Sequence, residues 1–277
     1  MLIKTNGGNH MTAFSVGSWS FHALFETGKM SLFGYLESIK YRYRLDSADI
    51  WNGMLLTTED DYIQSIKDTL DEEEITVANL AVDGADVWHD DPIIREQNHQ
   101  KALRYLDIAR RWGVKVLRID MGINSLELTD EQFEFCVKRY SEYAKFANDY
   151  GFQVGPQTHQ PASQSPRNLK RICNELSSPA FGIILNVNRW LVDKEIGDKM
   201  TAPRTIHSQF DRAFVDFSGS ELLQKVQLLN QEGYKGCWSL EFRGGFNEYL
   251  EVEHDLLNIR RAVKSLSEHH TQSILTR

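Results

Sequence analysis

The clearest pattern along the chain is a series of short apolar runs separated by longer segments of mixed polarity. Each run is four to eight residues long and rich in β-branched or aromatic residues, which is typical of strands buried on both faces. We therefore predict eight strands. They are AFSVG (13–17), SADIW (47–51), ITVANLAV (75–82), VKVLRI (114–119), FQVG (152–155), FGIILNV (181–187), RTIHSQF (204–210) and CWSLEF (237–242).

The segments between these runs have the period of amphipathic helices, with apolar residues three or four positions apart. Helix starts are also signalled. Thr129 followed by Gln132 forms a capping box, and Ser165 before Pro166 combines a cap residue with a proline in the first turn. Only the segment after the sixth run lacks a clear apolar stripe. The pattern predicts a helix after nearly every strand.

Eight strand-then-helix units indicate the fold class α/β, as a single (β/α)8 TIM barrel. We expect one domain over residues 1–277, with its core at about 13–262. In such a barrel the chemistry lies at the carboxyl ends of the strands, so the polar residues that end each apolar run are the candidates for a functional site.

Composition narrows the range of partners. The chain of 277 residues is 41% hydrophobic and 25% charged, with a formal net charge of -8. An acidic chain without clustered Lys and Arg argues against nucleic acid as a partner, and no apolar stretch is long enough for a membrane span. We expect a cytoplasmic protein, in which a homo-oligomer is possible. The widely spaced Cys136, Cys173 and Cys237 predict neither disulfides nor a structural zinc site.

The polar residues at the strand ends are mostly amides, aromatic residues, histidines and arginines. The fifth run leads into Gly155–Gln160 (GPQTHQ) and the sixth into LNVNRW (185–190), neither of which contains a carboxylate. Amides both donate and accept hydrogen bonds, which suits hydroxyl groups, and aromatic faces can cover a sugar ring. The expected substrate-binding residues are His22, Trp51, Arg118, Asp120, Gln157, Asn186 and Arg243.

The phrases SADIWNG, VKVLRIDMG, GPQTHQ, LNVNRW and GYKGCWSLEF give the chain a family resemblance. It resembles the xylose isomerase-like TIM barrel superfamily, also called the sugar phosphate isomerase/epimerase family, over roughly residues 13–262. The most telling motif is Gly233-Tyr234, followed by Gly236 and Ser239-Leu240-Glu241, which is similar to the family's last turn and its strand ending in a metal-binding glutamate.

The resemblance implies one divalent cation, such as Mn, Mg, Co or Zn, bound at the ends of strands five to eight. Position by position, the ligands would be Gln157, Asn186, His207 and Glu241. A different register on strand seven would put Ser208 in place of His207. Because amides replace two acids, the site loses two negative charges, and we expect a cation to bind weakly or not at all.

The resemblance further implies an isomerase or epimerase that acts on a small carbohydrate or polyol by proton transfer next to a carbonyl. Catalytic roles then fall to Glu241, His207 and His159. Two alternatives stay open. One is a lyase or dehydratase on the same barrel, and the other is a sugar-binding or partner-subunit barrel without catalysis, which the two acid-to-amide changes favour. Arg118 and Asp120 could equally form a structural ion pair.

Overall fold

The eight apolar runs form eight strands, so the strand prediction is confirmed. The computed structural model describes residues 12–217, 219–244 and 247–275. All strand pairs are parallel. The strands are β1 (Phe14–Val16), β2 (Ser47–Trp51), β3 (Thr76–Val82), β4 (Val116–Ile119), β5 (Gln153–Gly155), β6 (Ile183–Asn186), β7 (Thr205–Asp211) and β8 (Trp238–Glu241).

Helices follow the strands in the alternation that the apolar stripes predict. Among the described residues, no helix is both long enough and apolar enough to cross a bilayer. The helices are α1 (His22–Glu26), α2 (Leu32–Glu37), α3 (Asp60–Glu72), α4 (Pro92–Trp112), α5 (Asp130–Tyr150), α6 (Pro166–Leu176), α7 (Gly197–Thr201), α8 (Arg212–Phe217), α9 (Gly219–Gln231) and α10 (Glu248–Leu275).

The strands close into a (β/α)8 barrel made of two four-stranded arcs. One arc has the order β1-β8-β7-β6 and the other β2-β3-β4-β5. Single parallel bridges join the arcs at Gly17 and Asp49 on one side, and at two places between β5 and β6 on the other. The barrel prediction is thereby confirmed, and the carboxyl ends of all eight strands open on the same face.

The seam between β5 and β6 depends on two glycines. A Cβ atom built on Gly155 would lie 1.8 Å from the backbone oxygen of Gly182. No side chain fits such a close approach, so glycine at position 155 lets the two arcs meet. This seam positions Gln157, which follows β5 and bridges to Ile184.

The local helix signals have different outcomes. Thr129 forms the predicted capping box with Gln132, whose backbone N–H donates to the Thr129 hydroxyl. Ser165 precedes the proline that begins α6, but its side chain makes no capping hydrogen bond. Cys136 on α5 and Cys173 on α6 are buried free thiols.

Candidate functional site

A cavity of about 180 Å³ opens at the carboxyl ends of the strands. Its size suits a small molecule rather than a polymer. We call it the mouth cavity. Its lining is mainly polar and aromatic, and it consists of Gly17, Ser18, Trp19, Asp49, Trp51, Asn79, Ala81, Asp83, Arg118, Gln157, His159, Gln209, Glu241 and Arg243.

The predicted site residues differ in how close they lie to the mouth cavity. Those that line the mouth cavity are Trp51, Arg118, Gln157, His159, Glu241 and Arg243. Asp120 lies just behind it, bonded to the backbone N–H of Gln157. His22, Asn186 and His207 are not among the lining residues.

Two tryptophans form an aromatic wall. The rings of Trp19 and Trp51 meet edge to face, with centroids 4.6 Å apart. Trp51 donates its indole N–H to Asp83 at 2.7 Å. His22 stacks on Trp19 at 4.4 Å and accordingly supports the wall without lining the cavity. The wall offers ring faces and edges on which the apolar side of a sugar can pack.

The Glu241 carboxylate ends β8 and is almost fully buried. One of its oxygens accepts hydrogen bonds from Arg189 at 3.2 Å and from Arg243 at 2.9 Å. The other oxygen accepts from the amide of Gln157 at 3.1 Å. A buried carboxylate needs partners of this kind, and two guanidinium groups supply charge as well as hydrogen bonds.

Arg118 lies at the centre of the charged groups. It donates to the side-chain oxygen of Gln157 at 2.8 Å, contacts Asp83, and lies 3.1 Å from Asp120. Burial opposes the charged form of this guanidinium, but Asp120, Asp83 and Glu241 outweigh burial and raise the pKa of Arg118. Arg118 therefore brings a permanent positive charge to the interior of the site.

His159 follows β5 and reaches the mouth cavity from the loop. Its Nδ1 atom lies 3.6 Å from Asp120 and has no hydrogen-bond partner among the described residues. The ring is partly exposed, with 28% of the side chain accessible. An accessible imidazole beside a buried carboxylate is an arrangement suited to proton transfer.

The four positions that the resemblance implies as metal ligands are a poor donor set for a divalent cation. The side-chain oxygen of Gln157 already accepts from Arg118, and both oxygens of Glu241 accept from N–H donors. Within the described parts of the chain, no group of three or more His, Cys, Asp and Glu side chains is arranged to hold a metal ion. Guanidinium groups at such short range would also repel a dication.

Strand seven presents a different residue from the predicted one. His207 lies deeper in the barrel, where its Nε2 is 2.9 Å from Asp49. The hydroxyl of Ser208, the alternative position, donates to the backbone of Cys237. Gln209 is the residue of β7 that lines the mouth cavity. Asp211 pairs with Glu241 across the sheet and accepts from the backbone N–H of Phe214 at the start of α8.

Asn186 and Asn79 are both buried, and neither side-chain amide has a hydrogen-bond partner among the described residues. Asn186 pairs with Gln209 in the sheet but does not line the cavity. Asn79 lines the cavity, although it is not among the site residues expected from the sequence. The signal was present, because an asparagine inside the apolar run ITVANLAV has to be hydrogen-bonded or functional.

The chain belongs to the xylose isomerase-like TIM barrel family, whose model matches residues 43–266. The predicted family is thereby confirmed. No curated protein sequence matches the chain.

Several solved structures share the fold at low identity. An L-ribulose 3-epimerase superposes with a TM-score of 0.76 at 11% identity, over 95% of this chain and 98% of that one. D-psicose 3-epimerase from Clostridium cellulolyticum H10, solved with D-tagatose, superposes with a TM-score of 0.70 at 14% identity, over 84% of this chain and 94% of that one. A probable 3-DHS dehydratase from Bacillus anthracis superposes with a TM-score of 0.67 at 13% identity, over 88% of this chain and 97% of that one.

Proposed function

We propose that this protein is a sugar or polyol isomerase or epimerase that transfers a proton next to a carbonyl group. One observation carries the proposal. A carboxylate, Glu241, and an imidazole, His159, line the same small cavity as the guanidinium groups of Arg118 and Arg243. Two groups that can exchange protons, beside fixed positive charge, are the minimum that enolisation requires.

The chemistry follows from those roles. A base removes the proton from the carbon next to the carbonyl, the electron pair of the broken C–H bond forms a carbon–carbon double bond, and the π pair of the carbonyl group moves to its oxygen. The guanidinium groups stabilise the enediolate that forms. Return of a proton to the opposite face of the same carbon gives an epimer. Return to the former carbonyl carbon, with the proton of the neighbouring hydroxyl passing to the enediolate oxygen, gives an isomer. His159 and Glu241 are the groups we assign to these transfers.

A carbohydrate is the ligand class that fits the other lining residues. Trp19 and Trp51 offer an aromatic surface, while Asn79, Gln157 and Gln209 offer amides for hydroxyl groups. Two solved structures with this fold are described as sugar epimerases. Their names suggest ketoses as the first compounds to test.

The test is solvent exchange at the carbon next to the carbonyl. Purified protein is incubated in D2O with D-fructose, D-tagatose or L-ribulose, with and without chelator, and deuterium uptake is followed by NMR. We expect chelator-resistant exchange on at least one ketose, reduced about 10²–10⁴-fold in His159→Gln and Glu241→Gln. His89→Gln, on an exposed loop outside the cavity, is the matched control and should exchange like wild type.

One result would contradict the roles of the guanidinium groups, and two would contradict the proposed reaction. Exchange that chelator abolishes would mean that a metal ion polarises the carbonyl. Elimination of water from the ketose would favour the alternative of a dehydratase, the activity that the name of one structure with the same fold gives. Saturable sugar binding without any exchange would favour a non-catalytic barrel, in which the hydrogen bonds to Glu241 only hold the ligand pocket in shape.

A further inference from the structure

We infer that the deepest part of the mouth cavity is a subsite for hydroxyl groups, formed by Asp49, Asn79 and Gln209. We call these three residues the floor. All three are at least nine-tenths buried and line the cavity. Gln209 pairs with Ser239, two residues before Glu241 along β8, so the floor lies one side-chain layer below Glu241. The inference rests on the proposed carbohydrate ligand and specifies which residues bind it.

Asp49 is held in place by Ser239, His207 and Tyr35. Its Oδ2 atom accepts from the hydroxyl of Ser239 at 2.6 Å and lies 2.9 Å from Nε2 of His207. Because a carboxylate can only accept, Nε2 of His207 carries the proton in this pair. Tyr35 accepts the backbone N–H of Asp49. The Oδ1 atom of Asp49 is buried without a partner among the described residues.

Asn79 stands beside Asp49 on the neighbouring strand. The pairing of β2 with β3 shifts by one residue between Ala48 and Asp49, and this shift brings Asn79 opposite Asp49. Both polar atoms of the Asn79 side chain are buried without a partner in the described part of the chain. A buried amide with neither its donor nor its acceptor satisfied is costly, and such groups call for a ligand.

Gln209 completes the floor from the opposite side of the barrel. Its side chain is 4% exposed, and its Oε1 atom likewise lacks a partner among the described residues. The three residues therefore present three acceptor oxygens and the donor amide of Asn79. The two arginines that line the cavity start from positions beyond the floor: Arg118 pairs with Ala81, two residues after Asn79, and Arg243 follows the end of β8.

This donor and acceptor set defines the chemistry of the ligand. Hydroxyl groups both donate and accept, so adjacent hydroxyls can satisfy the oxygens and the amide together. A phosphate or carboxylate would instead meet the carboxylate of Asp49 and two amide oxygens, which is repulsive. The floor consequently fits the neutral, hydroxylated end of a sugar or polyol, while charge development is confined to the layer of Glu241 and Arg118.

The first test needs no ligand and compares two buried asparagines. Asn52 is fully bonded, since it donates to Tyr105 and to the backbone of Asp83 and accepts the Asp83 N–H. We expect Asn52→Leu to lower the thermal midpoint, whereas Asn79→Leu should leave it unchanged or raise it, because a ligand-binding amide is unsatisfied in the free protein. A fall in Asn79→Leu equal to that in Asn52→Leu would make Asn79 structural and overturn the inference.

The second test measures binding of erythritol, a small polyol that has no carbonyl and so cannot be enolised. Titrations are followed through the indole N–H resonances of Trp19 and Trp51. We expect saturable binding to wild type, weakened at least tenfold in Asn79→Leu and Gln209→Leu, but unchanged in Gln64→Leu, on the exposed face of α3. Absence of saturable binding, or equal binding by all variants, would overturn the inference.

The two tests separate the floor from the proposed function. If erythritol binds the floor but no ketose exchanges its proton, the proposed function fails and the subsite stands. If ketoses exchange while the floor variants bind and turn over sugars as wild type does, the function stands and the subsite is wrong.

Discussion

Arg118 brings a buried positive charge into the candidate site. The family resemblance implies that Gln157 and Asn186 stand where related proteins have two acids. The structure adds a buried guanidinium bonded to Gln157 and paired with Asp120. Fewer negative charges and one more positive charge act in the same direction, against a dication and in favour of anionic intermediates.

Asp86 allows a test of charge at the back of the site. Burial, and after it the nearby Asp120, raise the pKa of Asp86 above its usual range. The folded state then holds this proton more tightly than the unfolded state. Stability is therefore lost as the pH rises from the ordinary aspartate range through the raised pKa. Asp86→Asn should lack this loss, so the variant should be more stable than wild type at neutral pH and similar to it at low pH.

Urea denaturation across the pH range measures this difference. Asn can still accept the hydrogen bond that Gln160 donates to Asp86. The exposed Asp68 accepts from Gln64 in the same way, and Asp68→Asn should change stability little at any pH. If the stability of wild type and of Asp86→Asn changed in parallel with pH, Asp86 would not be the cause of the predicted loss of stability.

At the scale of elements, α2 holds the first two strands in register. Tyr35, on α2, donates its hydroxyl to the backbone of Val16 in β1 at 2.6 Å. The same oxygen accepts the backbone N–H of Asp49 in β2 at 3.0 Å. Burial raises the pKa of Tyr35 well above its usual value, so the phenol remains protonated and keeps donating. These bonds reinforce the seam between β1 and β2, where Gly17 and Asp49 form a single bridge.

Tyr35→Phe should lower the free energy of unfolding by about 1–3 kcal/mol, because a buried N–H and a buried carbonyl lose their partner. Urea denaturation measures the change. Tyr41→Phe is the matched control, since the Tyr41 hydroxyl bonds to Glu73 on the surface, and its effect should stay within about 0.5 kcal/mol. Equal effects of the two variants would mean that the hydroxyl of Tyr35 does not brace the seam.

At the scale of the whole molecule, the sequence was enough to predict the barrel. The strands of the barrel are buried on both faces, so each one appears in the sequence as a continuous apolar segment. The rule that chemistry lies at the carboxyl ends then found Trp51, Arg118, Gln157, His159, Glu241 and Arg243, all of which line the mouth cavity.

Depth within the barrel could not be predicted, because it depends on the register between strands. On β7 the chain offers His207, Ser208 and Gln209 in succession, and only the pairing with β8 shows that Gln209 reaches the cavity. Asn79 becomes part of the cavity through a register shift that its own strand does not reveal. Periodicity gives the direction of a side chain but not its height along the barrel axis.

The central claim is that fixed guanidinium groups, rather than a divalent cation, supply the positive charge of this site. Metal content tests it most directly, measured by mass spectrometry on protein purified without chelator, beside a Glu241→Gln variant. We predict far less than one equivalent of Mn, Mg, Co or Zn in both proteins. Near-stoichiometric metal in the wild type that is lost in Glu241→Gln would contradict the claim.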